Sequence, residues 1–387
     1  MKRNWEYKKL GDVCTVVGGS TPKTNIPEYW GGGNYWVTPA ELTGDKYIES
    51  TERTITDEAV AKTNLTLLPV GTVLLSSRAP IGKVCITRSP MYCNQGFKNI
   101  VCSKSLYNEY VYWWLKGKTD YLNSLGVGAT FKEISKRSVE QIVIPVPPLE
   151  EQSRIVAELD LLTGIIDKQN AQLKELDNLA LAIFYDMFGD PIENPKGWDV
   201  KKLGDLSTSV SYGTSSPSST VGKYKYLRMN NITYEGFLDL TDLKYIDMDD
   251  AEFEKYSVRE GDVLFNRTNS MDLIGKTTYI HDMEPMIIAG YIIRVRLADS
   301  VLPVYVSKFM NTPAMKKKLR GMAKGAVNQA NINSKELKSI DILIPPLALQ
   351  QSFAEKIQSI EKQKETIRAS IANTQKLLDY TMDKYFG

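Results

Sequence analysis

Past Pro148 the apolar positions fall at alternating steps of four and three. The series is Ile155, Leu159, Leu162, Ile166, Leu173, Leu176, Ala180, Ile183 and Met187, with Gln169 as its polar member. Past Pro346 it returns, 198 residues further on, as Phe353, Ile357, Ile360, Ile367, Ile371 and Leu378. Lys364, Thr374 and Thr381 fill the polar places of this second series, and Tyr385 ends it. Four-three alternation over about five heptads is the seam of a coiled coil. Proline suits a helix start because the first amides need no partner in the helix. The pairs Pro147-Pro148 and Pro345-Pro346 therefore mark two starts. Each stretch predicts a helix of about 35–40 residues, roughly 55 Å long. Two such helices bury their seams on each other in antiparallel fashion, or each lies on its own core.

Ahead of each helix the pattern changes to short β-like runs separated by Gly, Pro and polar turns. Val73–Ser76, Ile142–Val146, Val263–Phe265 and Tyr291–Val295 read as strands. Leu106–Gly117 and Val304–Met322 read as short helices, the second broken at Pro313. The order is the same in both halves. "WEYKKLGDV" at Trp5 returns as "WDVKKLGDL" at Trp198, and "ISKRSVEQIVIPVPPLEEQ" at Ile134 returns as "INSKELKSIDILIPPLALQQ" at Ile332. A repeat this long is a duplicated domain, not a solenoid unit. The expected fold class is α+β, with two similar mixed globular domains and two long helices forming an antiparallel coiled coil. The boundaries are 1–148, first globular domain; 149–190, first helix; 191–346, second globular domain; and 347–387, second helix.

Composition adds limits. The chain has 387 residues, 42% hydrophobic and 24% charged, as in ordinary soluble proteins. No apolar run approaches the roughly 20 residues of a membrane span. The basic start lacks an apolar stretch behind it, so the expected location is cytoplasmic. Net charge is +2, split as +5, −6, +2 and +1 over the four segments. The globular segments carry the positive charge, which mildly favours a polyanion there and a different partner at the acidic first helix. Four cysteines without a CxxC pair and a single histidine, His281, argue against a Cys/His zinc site.

No phosphate loop, HExxH or GxSxG motif is present in the sequence. The chain is expected to position something and not to transform it. The polar residues that remain stand at matched places in both halves. Arg78 and Lys83 lie in "SSRAPIGK"; Asn266, Arg267, Asn269 and Lys276 lie in "FNRTNSMDLIGK". Arginine can take guanine O6 and N7 with two hydrogen bonds, and asparagine can do the same for adenine. Thr130 and Lys132 in "GVGATFKEIS" match Asn328 and Asn331 in "KGAVNQANINS". Thr214 stands in the Gly/Ser/Thr loop "SYGTSSPSS", Lys317 in the basic run "MKKKLRGMAK", and Arg228 and Asn230 in "LRMNN". For each, base or phosphate contact stands beside a plainer reading: a local ion pair, a turn or a solvated face.

Together these motifs resemble the specificity subunit of Type I restriction–modification systems. The likeness spans essentially the whole chain, and the "IPPL" junction with a glutamine three residues on, followed by a long helix, is its most specific part. The resemblance implies a non-catalytic, DNA-binding subunit. Each target-recognition domain would read one half of a bipartite site in double-stranded DNA. The helices would set the spacing and dock two methyltransferase subunits, with two restriction subunits completing the nuclease. S-adenosylmethionine, ATP and Mg would then be bound by those partners, with no cofactor on this chain. The competing reading is a coiled-coil scaffold whose two heads bind proteins.

Overall fold

The computed structural model describes residues 5–128, 132–326 and 329–387. By its internal contacts the chain forms two compact units, Met1–Gln169 with Ser370–Gly387, and Asn170–Ala369.

In the first unit a five-stranded sheet runs in the order Cys14–Gly18, Lys98–Cys102, Val73–Leu75, Val84–Thr87, Tyr47–Ile48. A second sheet of three strands, Thr54–Ile55, Trp30–Val37 and Tyr92–Cys93, lies in the same unit. The second unit repeats the first four of these strands as Ser207–Tyr212, Ile292–Leu297, Val263–Asn266 and Thr277–Tyr279. Its three-stranded sheet is Lys244–Ile246, Tyr224–Leu227, Ile287–Ile288. The helix expected to break at Pro313 does so: Pro303–Asn311 and Pro313–Met322 flank Thr312, whose hydroxyl caps the second piece at Met315 N.

The repeated openings now have a physical reason. Glu6–Lys9 pairs antiparallel with Val143–Val146, and Asp199–Lys202 pairs with Asp341–Ile344. Each opening strand thus ties the start of its globular part to the strand that leads into a long helix. These helices are Leu149–Phe188 and Leu347–Phe386, 40 residues each. A buried glutamine secures each start. Gln152 accepts from Tyr107 N at 2.7 Å and donates to Pro147 O at 2.8 Å. Gln350 accepts from Leu302 N at 2.8 Å and donates to Pro345 O at 2.9 Å. The tyrosines behind them also match, Tyr110 donating to Pro145 O and Tyr305 to Leu343 O, both at 2.9 Å.

The helix segments pair antiparallel within each unit. In the first, Gln169 donates to Ser370 Oγ at 2.6 Å and the Tyr385 hydroxyl donates to Glu158 at 2.6 Å. In the second, Lys364 meets Asp177 at 2.5 Å, and Phe184 and Phe188 pack against Phe353. Ile155, Leu159 and Leu162 are buried in the first unit, Phe353, Ile357 and Ile360 in the second. Ile166, Leu173, Leu176, Ile367, Ile371 and Leu378 are half-buried, with exposed residues between them. Aromatic side chains finish each core: Phe386 against Tyr110, and Phe188 against Tyr305. The unit boundary therefore falls inside the helices, because the aromatic helix ends belong to the cores they fill.

Candidate nucleic-acid interface

Three loops come together in each globular part. In the second unit Thr268–Asn269 continues past the strand Val263–Asn266 and pairs with Gln329–Asn331, which pairs with Lys324–Ala326. The Gly/Ser/Thr loop joins them: Thr214 N donates to Ile288 O at 2.9 Å and Gly290 N to Thr214 O at 2.7 Å. In the first unit Arg78 bridges Glu133, and Glu133 bridges Val127. Ser20 N donates to Cys93 O at 2.9 Å, and Ser77 N to Gly96 O at 2.7 Å. A glycine is required at the crossing of each Gly/Ser/Thr loop. A Cβ on Gly19 would stand 1.8 Å from Asn94 O, and one on Gly213 2.1 Å from Ile288 O.

The β-ladder corrects one expected match. Val73 pairs with Ile100 and Val263 with Val295, so Val73 and Val263 are equivalent. Counting along the strands, Arg267 stands where the first unit has Ser77, and Arg78 stands where the second has Thr268. Two further bonds agree: Ile134 N donates to Ser77 O, and Ile332 N to Arg267 O, both at 2.9 Å. The two arginines are one residue out of register. Successive strand residues face opposite ways, so they do not present their side chains alike.

The arginines also differ electrostatically. Arg78 Nε donates to Glu133 at 2.9 Å, and Lys98 shares the same carboxylate at 3.0 Å. Burial would raise the Glu133 carboxyl, but the hydrogen bonds from Lys98 and Arg78 outweigh it and its pKa is lowered. Arg267 instead lies over the Tyr212 ring, 5.0 Å from its centroid.

Several expected contact residues point inward. Asn266, Lys276 and Thr214 are buried. Asn266 donates to Tyr291 O and accepts from Asn269. Lys276 reaches Met229 O at 3.5 Å, and burial lowers its pKa. Lys83 does the equivalent in the first unit, donating to Pro39 O at 3.1 Å. Arg228 donates to the backbone and carboxylate of Asp242, both at 2.7 Å. These groups hold loops in place, because a buried donor with a protein acceptor is not free to meet a ligand. Asn331 donates to Thr268 at 3.1 Å beside the hairpin. Lys132, Asn230 and Lys317 are exposed. Thr130 and Asn328 lie outside the described residues. Sequence reasoning missed Lys98, Tyr212 and Tyr291; the last two are exposed aromatics flanking Arg267. Their only signal was an aromatic beside a loop glycine, in "SYGT" and "AGYI".

With this geometry in view, comparison with known proteins settles the family. The model of the Type I restriction modification DNA specificity domain matches twice, over residues 2–178 and 195–374. The chain belongs to this family. It is 34% identical over 290 residues to the Type I restriction enzyme MjaIX specificity subunit of Methanocaldococcus jannaschii, covering 69% of this chain and 66% of that one. The EcoKI specificity subunit of Escherichia coli is 22% identical over 398 residues, covering 96% and 85%. Among solved structures, the S subunit from M. genitalium aligns over 100% of this chain and 97% of its own, with a TM-score of 0.57 and 12% identity. A chain from a study of assembly and conformational transition in a type I R-M system aligns over 99% and 97%, with a TM-score of 0.59 and 20% identity. These last two likenesses carry the fold. Specificity subunits recognise DNA targets, and of the expected contact residues the three loops bring together Arg78 in the first unit and Arg267, Asn269 and Asn331 in the second. No helix among the described residues is long and apolar enough to cross a membrane.

Proposed function

We propose that each globular part reads one half of a bipartite DNA site, with the long helices setting the spacing and docking methyltransferase subunits. The observation that carries this reading is the repeated frame with unlike side chains. Both units bring the same three loops together in the same register, yet Arg267 stands in the place of Ser77, Thr268 in that of Arg78 and Asn331 in that of Glu133. A duplicated reader with two sets of contacts suits two different half-sites, as dimeric readers of duplex DNA suit two like ones. The chain is non-catalytic in this proposal. S-adenosylmethionine, ATP and Mg belong to the methyltransferase and restriction subunits, and the complex works in the cytoplasm.

The test is adenine methylation across the genome of a host carrying this chain with its methyltransferase subunit. A split methylated motif that disappears on deleting this gene supports the proposal. Replacing residues 196–346 then changes one half of the motif alone. Methylation that persists after deletion overturns it.

A further inference from the structure

The second unit carries a cation with no counterpart in the first. Arg267 is fixed through its backbone, with its N–H on Tyr291 O and its carbonyl taking Ile332 N, each at 2.9 Å. Its guanidinium lies over Tyr212, and Nη1 reaches Gly290 O at 3.5 Å. Tyr212 is itself held, because its hydroxyl accepts from Ser334 N at 2.9 Å. Arg267 Nε is buried without a hydrogen-bond partner, and among the described residues no carboxylate pairs with this side chain. The guanidinium is therefore placed between the Tyr212 ring and Gly290 O, with its inner nitrogen enclosed. Beside it stand Tyr291, 54% exposed, and the half-buried Asn269.

A held, planar and unneutralised guanidinium has two usual nucleic-acid partners, a phosphate and the O6/N7 edge of guanine. Phosphate sites gather free backbone N–H groups or several cations. Here the amides of Thr214, Gly290, Arg267 and Ile332 are all spent on backbone carbonyls, and Ser216 N is spent on the Thr214 hydroxyl. The neighbouring Lys276 is turned inward to Met229 O. Lys324 on the hairpin is held by Glu336 at 2.6 Å, so what remains among the described residues is one unpaired fork beside neutral amide and phenol groups, and that matches a base edge. The first unit has Ser77 in place of Arg267. It has Gly18 in place of Tyr212, since Gly18 pairs with Lys98 as Tyr212 pairs with Ile293. A Cβ on Gly18 would meet nothing within 4 Å, so the floor under the fork is missing there.

We propose that Arg267, held over Tyr212, reads a guanine in the half-site of the second unit, a contact the first unit lacks. This rests on the DNA-reading role proposed above. The experiment measures binding by the purified complex with its methyltransferase subunits. Its duplexes carry 7-deazaguanine in place of one guanine at a time. One position in the second unit's half-site should lose affinity about 10- to 100-fold. Arg267→Ala should erase that sensitivity and relax the methylated motif at the same base pair. Arg267→Lys should not restore it, because an ammonium is a point donor. The proposal is overturned by a half-site without guanine, by indifference to every 7-deazaguanine in that half, or by Arg267→Ala weakening all sequences equally, the mark of a phosphate contact. If Arg267→Ala does not fold, the 7-deazaguanine series on the unaltered complex decides alone. Methylation that does not depend on this gene would instead sink the DNA-reading role itself.

Discussion

Beside the hairpin of the first unit, Arg78 shares Glu133 with Lys98. At the same position in the second unit stands Thr268, bonded to the Asn331 side chain, and the arginine comes one residue earlier on a tyrosine ring. The backbone beneath is the same in both: a strand exit, a hairpin partner and a glycine crossing. The difference teaches that the ladder and the proposed reading surface are separable. Backbone hydrogen bonds, paired glutamines and paired tyrosines hold the frame, and none of these needs the side chains that face outward. A frame of that kind can be duplicated and then given new contacts without refolding.

The shared frame is most directly attacked through its glutamines. Gln152→Ala and Gln350→Ala each leave a backbone amide and a proline carbonyl buried and unpaired. Each should cost about 2–4 kcal/mol. Chemical unfolding of the two variants should give matching losses, and a loss in one unit alone would break the equivalence.

The helix pairs invite a second contrast. Lys364 is 1% exposed, within 2.5 Å of Asp177 and 3.6 Å of Glu361, with the Phe237 ring 3.4 Å away. Burial lowers its pKa, and the Asp177 hydrogen bond opposes that shift. Asp177→Ala leaves the buried ammonium with only Glu361 and the Phe237 ring, and should cost about 1–3 kcal/mol. Adding Lys364→Met should recover most of it in a thermal melt. The first unit's polar pair should behave otherwise. Gln169 Oε1 is buried without a partner, so Gln169→Leu should change stability by less than about 1 kcal/mol.

A pH effect should separate the units more finely. Lys316 donates to Gly275 O at 2.9 Å, and its pKa is pushed down to about 7. Burial does most of this; Glu235 opposes it, and Lys276 and Arg320 add to it. An unfolded lysine holds its proton to about pH 10. Between about pH 7 and 10 the unfolded state therefore binds more protons, and stability of the second unit rises with pH. The slope is at most about 1.4 kcal/mol per pH unit. Below about pH 7 both states are charged and the dependence ends. Melting curves of Lys316→Met against the unaltered chain should show the slope lost, and an equal slope in both would refute this origin.

Much of the frame was legible beforehand because it rests on periodic patterns. The seam repeat, the proline pairs and the doubled "KKLGD" opening each appear in two copies, and a second copy shows that a pattern is not chance. The candidate contact residues were less legible. Arg78 and Arg267 looked equivalent because both precede an Ile-Gly-Lys, yet Gly71–Lys83 spans 13 residues and Gly261–Lys276 spans 16. The extra residues lie after the arginine, so matching the motif hid a one-residue slip that the ladder exposes. Asn266, Lys276 and Thr214 looked like surface groups because of residue type, which says nothing about whether a neighbouring carbonyl waits for them.

The sequence by itself determined that two like domains precede two long helices, because periodicity and chain order are local properties of the chain. Only the tertiary structure decided which polar groups face outward and which arginine has no carboxylate partner among the described residues. That depends on partners far apart in sequence, such as Glu133 for Arg78 and Tyr212 for Arg267, which only folding brings within reach.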